Sequence, residues 1–236
     1  MSIDYSELAA PLISFLETDV NNSAALASAL LTPIVYNADL FADDLQWFSG
    51  NYGFDGYLGV PGLQSSNAQQ AAADSNVAWQ TLDPALNPPQ RALTSASSVI
   101  GASNSYETNL VLADTMPLVF SHPVFPPSMD ADGSDFMVTL NDGTTVHPEA
   151  AGFLPNLEYN ERQTVVIMGD FGNRLAPDEI SSRYPVSVDI VNDGTPLELI
   201  SRSGPLDGVG LSINSKHPYV EGNGPTLVAA KLNRSS

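Results

Sequence analysis

The period of the apolar residues changes along the chain. Near the start they recur at helical spacing: Leu8, Leu12 and Leu16 fall at i, i+4 and i+8, and Ile13 and Phe15 widen the stripe. This predicts a helix over residues 5–18, capped by Asp4 or Ser6, with Pro11 acceptable only in its first turn. A second helix is predicted over 23–31, between Asn22 as cap and Pro33 as stop, and a third over 67–82. A weaker helical run covers 90–100.

From residue 109 the period becomes two. Strands are predicted at 109–113, 117–121, 135–140, 144–147, 164–169, 185–191, 196–200 and 225–232. Phe136, Val138 and Leu140 share one face, as do Val186, Val188 and Ile190. Such alternation suits antiparallel strands with one buried face. Asn141-Asp142-Gly143-Thr144 and Asn192-Asp193-Gly194-Thr195 each follow an alternating run, and Asp-Gly at that place predicts a hairpin. The expected architecture is mainly β with an α-rich start. It comprises a helical and irregular region over 1–112 and an antiparallel β-sandwich over 113–236.

Within the second region, Pro117-Leu-Val-Phe-Ser-His-Pro-Val-Phe-Pro126, Asp135-Phe-Met-Val-Thr-Leu-Asn-Asp-Gly143 and Thr164-Val-Val-Ile167 follow one another. This stretch, residues 115–170, resembles bacterial Ig-like modules of surface proteins. The resemblance implies an Ig-like β-sandwich and no catalytic residues.

Charge narrows the partners. Of 236 residues, 27 are acidic and 8 basic, a net charge of −19. Nucleic acid and anionic membranes need Lys and Arg to neutralise phosphate, so neither is an expected partner. No early apolar stretch is long enough to insert in a membrane. The start of the chain carries acids where a secretory leader needs basic residues, although a removed leader stays open. The acidity and the Ig-like stretch favour an extracellular or surface location over a cytoplasmic one. Cysteine is absent, which excludes disulfides and thiolate chemistry.

The acids and histidines supply the candidate chemistry. Asp130-Ala-Asp132-Gly-Ser-Asp135 alternates oxygen donors as a calcium loop does, although it lacks the EF-hand's glycine and glutamate positions. Asp39, Asp43 and Asp44 read as the capped start of a short helix running to Phe48. His122, His147 and His217 each precede proline and sit on extended backbone; converging, they would make an open transition-metal site. Glu158, Glu161 and Arg162 offer paired carboxylates with a guanidinium, and Asp170 and Arg174 follow the strand at 164–169. The segment from Trp47 to Tyr57 and on to Gly62 holds five aromatics and five glycines. It suits either a loop docking its own aromatics or a small-molecule or glycan site.

Three classes of function stay open. One is an acidic binding or structural surface module with calcium-stiffened loops. Another is a metal-dependent enzyme built on the three histidines. The last is a self-assembling homo-oligomer component.

Overall fold

The computed structural model describes residues 40–50, 57–82, 92–94, 96–106, 108–153, 163–215 and 227. The first two expected helices, most of the strand expected at 225–232, and Glu158, Glu161, Arg162 and His217 lie outside the described residues.

The chain is mainly β. Before residue 113 come β1 (Trp47–Gly50), β2 (Tyr57–Val60), helix α1 (Ala68–Asp74), β3 (Gln80–Thr81), β4 (Ala92–Leu93), β5 (Ala96–Ser98) and helix α2 (Val99–Tyr106). There follow β6 (Ala113–Phe120), β7 (Phe136–Leu140), β8 (Thr145–Val146), β9 (Ala150–Gly152) and β10 (Thr164–Gly169). The last strands described are β11 (Pro185–Ile190), β12 (Glu198–Ser201), β13 (Gly204–Asp207) and β14 (Ser212–Asn214).

One sheet runs β5-β2-β6-β10-β9, with β1 pairing β6 on the same edge as β2; a second runs β14-β11-β7-β8. The region before residue 113 therefore supplies β1, β2 and β5 to the first sheet. Pairing is antiparallel except for β2 with β5. The two sheets share one core: Met116, Leu118, Phe120, Val165 and Ile167 from the first meet Phe136, Val138, Leu140, Val188 and Ile190 from the second. Burying each such side chain contributes about 1.5–3 kcal/mol.

Pro117 lies in the central strand β6, where proline is normally excluded. The amide of Phe120 donates to Gln163 on the β10 side, so by alternation position 117 faces the other edge. There β1 reaches only Leu118 and β2 only Asp114, and Pro117 falls in the interval between them. No ladder donor is needed at that point.

Several sequence expectations need correction. The helix over 67–82 stops at Asp74, because Asn76 takes a left-handed conformation (φ 53°) and β3 begins at Gln80. Within the run 90–100, the described residues 92–93 and 96–98 are strands β4 and β5 rather than helix, and α2 begins at Val99. Residues 43–46 form no helix and lead into strand β1. Residues 109–112 are not a strand, since Leu112 sits at φ 53°. There the backbone crosses Gly59 so closely that a Cβ would stand 1.9 Å from the Leu110 carbonyl oxygen. Val186 does not share the buried face of Val188 and Ile190. The register skips from Pro185–Leu140 to Ser187–Thr139, a bulge that turns Val186 outward.

The two Asn-Asp-Gly turns also part company. Asn141-Asp142-Gly143 closes the β7–β8 hairpin, with Gly143 at φ 83°. Asn192-Asp193-Gly194 makes a turn without a hairpin, because β11 pairs with β7 and β14, while β12 pairs with β13. Freed from a hairpin, this second turn lies against the loop that enters β7.

Candidate metal centre

The loop entering β7 is closed by its own last acid. The Asp130 amide donates to Asp135 Oδ2 at 2.7 Å, and the Gly133 amide to the Asp130 carbonyl. Gly133 is at φ 77°, and a Cβ there would lie 2.6 Å from Pro148 Cβ. The Val191 amide donates to the Asp135 carbonyl at 2.8 Å, tying the second Asn-Asp-Gly turn to this loop. Within that turn, Asp193 Oδ1 accepts from the Thr195 amide and hydroxyl. Ser134 Oγ sits 2.7 Å from Asp132 Oδ1 and 3.0 Å from Asp193 Oδ2.

These bonds bring one carboxylate oxygen each of Asp130, Asp135 and Asp193 within 4.8 Å of one another. Asp130 and Asp193 are exposed and Asp135 is fully buried. Asp135 Oδ1 has no hydrogen-bond partner among the described residues. Burial pushes the Asp135 carboxyl up to about 6, and the neighbouring charges of Asp193, Asp130 and Asp132 push the same way against the Asp130 amide. Asp130 is also raised, first by burial and then by Asp193. Asp193 is held down at about 2, chiefly by the Thr195 amide and the Ser134 hydroxyl. Asp132 is lowered by the Ser134 hydroxyl and amide. An oxygen-only cluster of this kind suits a hard cation such as calcium.

Of the residues singled out in the sequence, Asp130 and Asp135 fall in this cluster, and Asp132 stands beside it holding Ser134. Asp193 joins from a distant turn. The signal for it was the second Asn-Asp-Gly, which reads as a hairpin when taken alone.

The two described histidines sit in different surroundings. His122 is buried, with Nδ1 2.7 Å from Ser121 Oγ. That hydroxyl donates to the Asp44 carbonyl and accepts from the Gln46 amide, so Nδ1 carries the hydrogen. Nε2 of His122 has no partner among the described residues, and burial lowers the pKa of its ring against the pull of Asp44. His147 is exposed, with Nδ1 2.8 Å from the Phe136 carbonyl oxygen. It lines a surface concavity of about 600 Å³ together with Asp132, Ser134 and Asp193.

Arg174 lies elsewhere. At φ 57°, just beyond β10, its Nε meets Asp114 Oδ1 at 2.5 Å, and its guanidinium covers the Tyr57 ring at 4.4 Å. The side chains of both ion-pair partners are buried. Burial pushes Asp114 up to about 6 against the pull of Arg174, and pushes Tyr57 up to about 12. Asp170 is exposed nearby. The arrangement fastens β2, β6 and the segment after β10. Trp47 is likewise engaged internally, its ring tilted 38° against Phe120 at 4.9 Å and its indole nitrogen donating to the Ser49 carbonyl.

Among the described residues no helix is long and apolar enough to cross a membrane. No family model, curated protein or solved structure matches this chain.

Proposed function

We propose that this chain is an acidic binding or structural module of a surface or extracellular protein, an Ig-like sandwich whose loops are stiffened by calcium. The observation that carries the reading is Asp135. Its Oδ1 is buried without a hydrogen-bond partner among the described residues, and one of its carboxylate oxygens belongs to a group of three carboxylates drawn from two loops. A buried, uncompensated carboxylate is strongly unfavourable, and a divalent cation would satisfy it. The ion would join the loop entering β7 to the turn after β11, at one end of the shared core. The face-to-face sheets and the β7–β8 hairpin support the Ig-like reading.

The test is calcium titration by calorimetry beside thermal unfolding in EDTA, calcium and magnesium. A dissociation constant of about 10⁻⁴–10⁻³ M is expected, the range of extracellular modules. Calcium at about 10 mM then stabilises the fold by about 1.4–2.7 kcal/mol. Asp193→Asn is expected to abolish most of that gain. Identical unfolding in all three solutions, with no heat of binding, would sink the reading.

A further inference from the structure

Resting on that calcium reading, we propose that the bound ion is also a recognition element for a neutral polyhydroxylated ligand, a carbohydrate whose vicinal hydroxyls complete the coordination. The first ground is a shortfall of oxygens. Calcium takes 6–8 oxygen ligands. Asp135 Oδ2 is already engaged by the Asp130 amide, Asp193 Oδ1 accepts from the Thr195 amide, and the single Ser134 hydroxyl hydrogen is shared between Asp132 Oδ1 and Asp193 Oδ2. Asp130 and Asp193 are exposed, so the cluster opens to solvent rather than closing around the ion. The open positions would fall to water or to ligand oxygens.

The second ground is what lies beside the opening. Asp193 belongs both to the carboxylate cluster and to the rim of the concavity. The same concavity carries Met137, Pro148 and Val191, an apolar wall against which the C–H face of a sugar ring can pack. His147 adds a ring held in place through Nδ1. A carbonyl only accepts, so its Nδ1 donates to Phe136, which leaves Nε2 for a polar contact with the ligand. Asp132, also on the rim, can accept from a hydroxyl.

The third ground is charge. A net charge of −19 repels a carboxylate or phosphate ligand at long range, whereas a neutral diol approaches without that penalty. Two adjacent hydroxyls would replace two coordinated waters in one step.

Terbium in place of calcium reads this directly, because its luminescence lifetimes in H₂O and D₂O count coordinated water. The probes are methyl pyranosides with cis or trans vicinal diols, and acetate as the anionic rival. The expected result is saturable loss of about two waters with at least one pyranoside at roughly millimolar concentration. Met137→Glu should weaken that response at least about tenfold while terbium still binds. Terbium that binds but keeps its waters in every pyranoside would overturn the proposal and leave the ion a purely structural one. Displacement by acetate alone would overturn it in favour of a carboxylate ligand. Failure of terbium and calcium to bind at all would remove the calcium reading, and this proposal with it.

Discussion

Two buried aspartates, Asp114 and Asp135, face the same physical problem, and the chain treats them differently. Each is fully buried and pushed up to about 6, with burial the largest cause. Asp114 has a cation of the protein's own, since Arg174 meets it at 2.5 Å and is itself held over Tyr57. Asp135 has more carboxylates instead, Asp130 and Asp193. The first has its counter-charge inside the fold at Oδ1, although Asp114 Oδ2, like Asp135 Oδ1, has no hydrogen-bond partner among the described residues. The second has the Asp130 amide on Oδ2 and otherwise neighbours of its own sign, which favour the protonated carboxyl. A closed ion pair fastens strands; on the calcium reading proposed above, the cluster between the two loops takes its counter-charge from an ion.

The comparison breaks most sharply at Arg174. Arg174→Ala leaves Asp114 buried beside no guanidinium, and loss of one partner of a buried pair typically destabilises by about 3–5 kcal/mol. Urea unfolding would measure it, and calcium is expected to recover none of the loss. A loss as small as that of an exposed pair would show that the clasp does not hold β2 to β6.

Acidity provides the next test. A carboxyl whose folded pKa is raised binds its proton more tightly folded than unfolded. Its contribution is therefore full below the unfolded value near 3.8 and lost as pH rises through about 6. Without calcium, the fold should gain about 1–2 kcal/mol from Asp114 between pH 7 and pH 5. Asp114→Asn should remove that share of the slope and leave the part that Asp135, raised to the same value, contributes. Below about pH 4 the trend should turn, because the exposed carboxyls of Asp132 and Asp142 are held low in the fold and lose that advantage on protonation.

Asp135→Asn sharpens the contrast from the other side. In EDTA it removes an uncompensated buried charge, so stability at pH 7 should rise by about 1 kcal/mol while the calcium response disappears. A fall in EDTA would mean that the carboxylate serves the fold through its bond to the Asp130 amide. The smallest effect is expected at Arg183, whose ion pair with Asp142 is 3.5 Å long and more than a third exposed on both sides. Arg183→Ala should leave the urea midpoint indistinguishable from that of the unaltered chain.

The sequence carried the period of the strands because alternation is local. The strand expected at 164–169 matches β10, and Phe136, Val138 and Leu140 are buried together. The Asn141-Asp142-Gly143 hairpin was legible for the same reason. Asp130 and Asp135 could be singled out because they sit five residues apart in one loop.

What no local pattern could supply is proximity. Asp193 lies 59 residues beyond Ser134, and Arg174 lies 60 beyond Asp114; sheet pairing alone brings each to its partner. The bulge at Val186 and the missing hairpin after β11 follow from which strands become neighbours, since register and burial are set by the partner strand. Thus composition and period determined a β-rich, acidic chain with oxygen donors and no thiols. The tertiary structure alone decided which acid received a guanidinium and which was left among other acids, because a charge's compensation depends on distances that the fold creates.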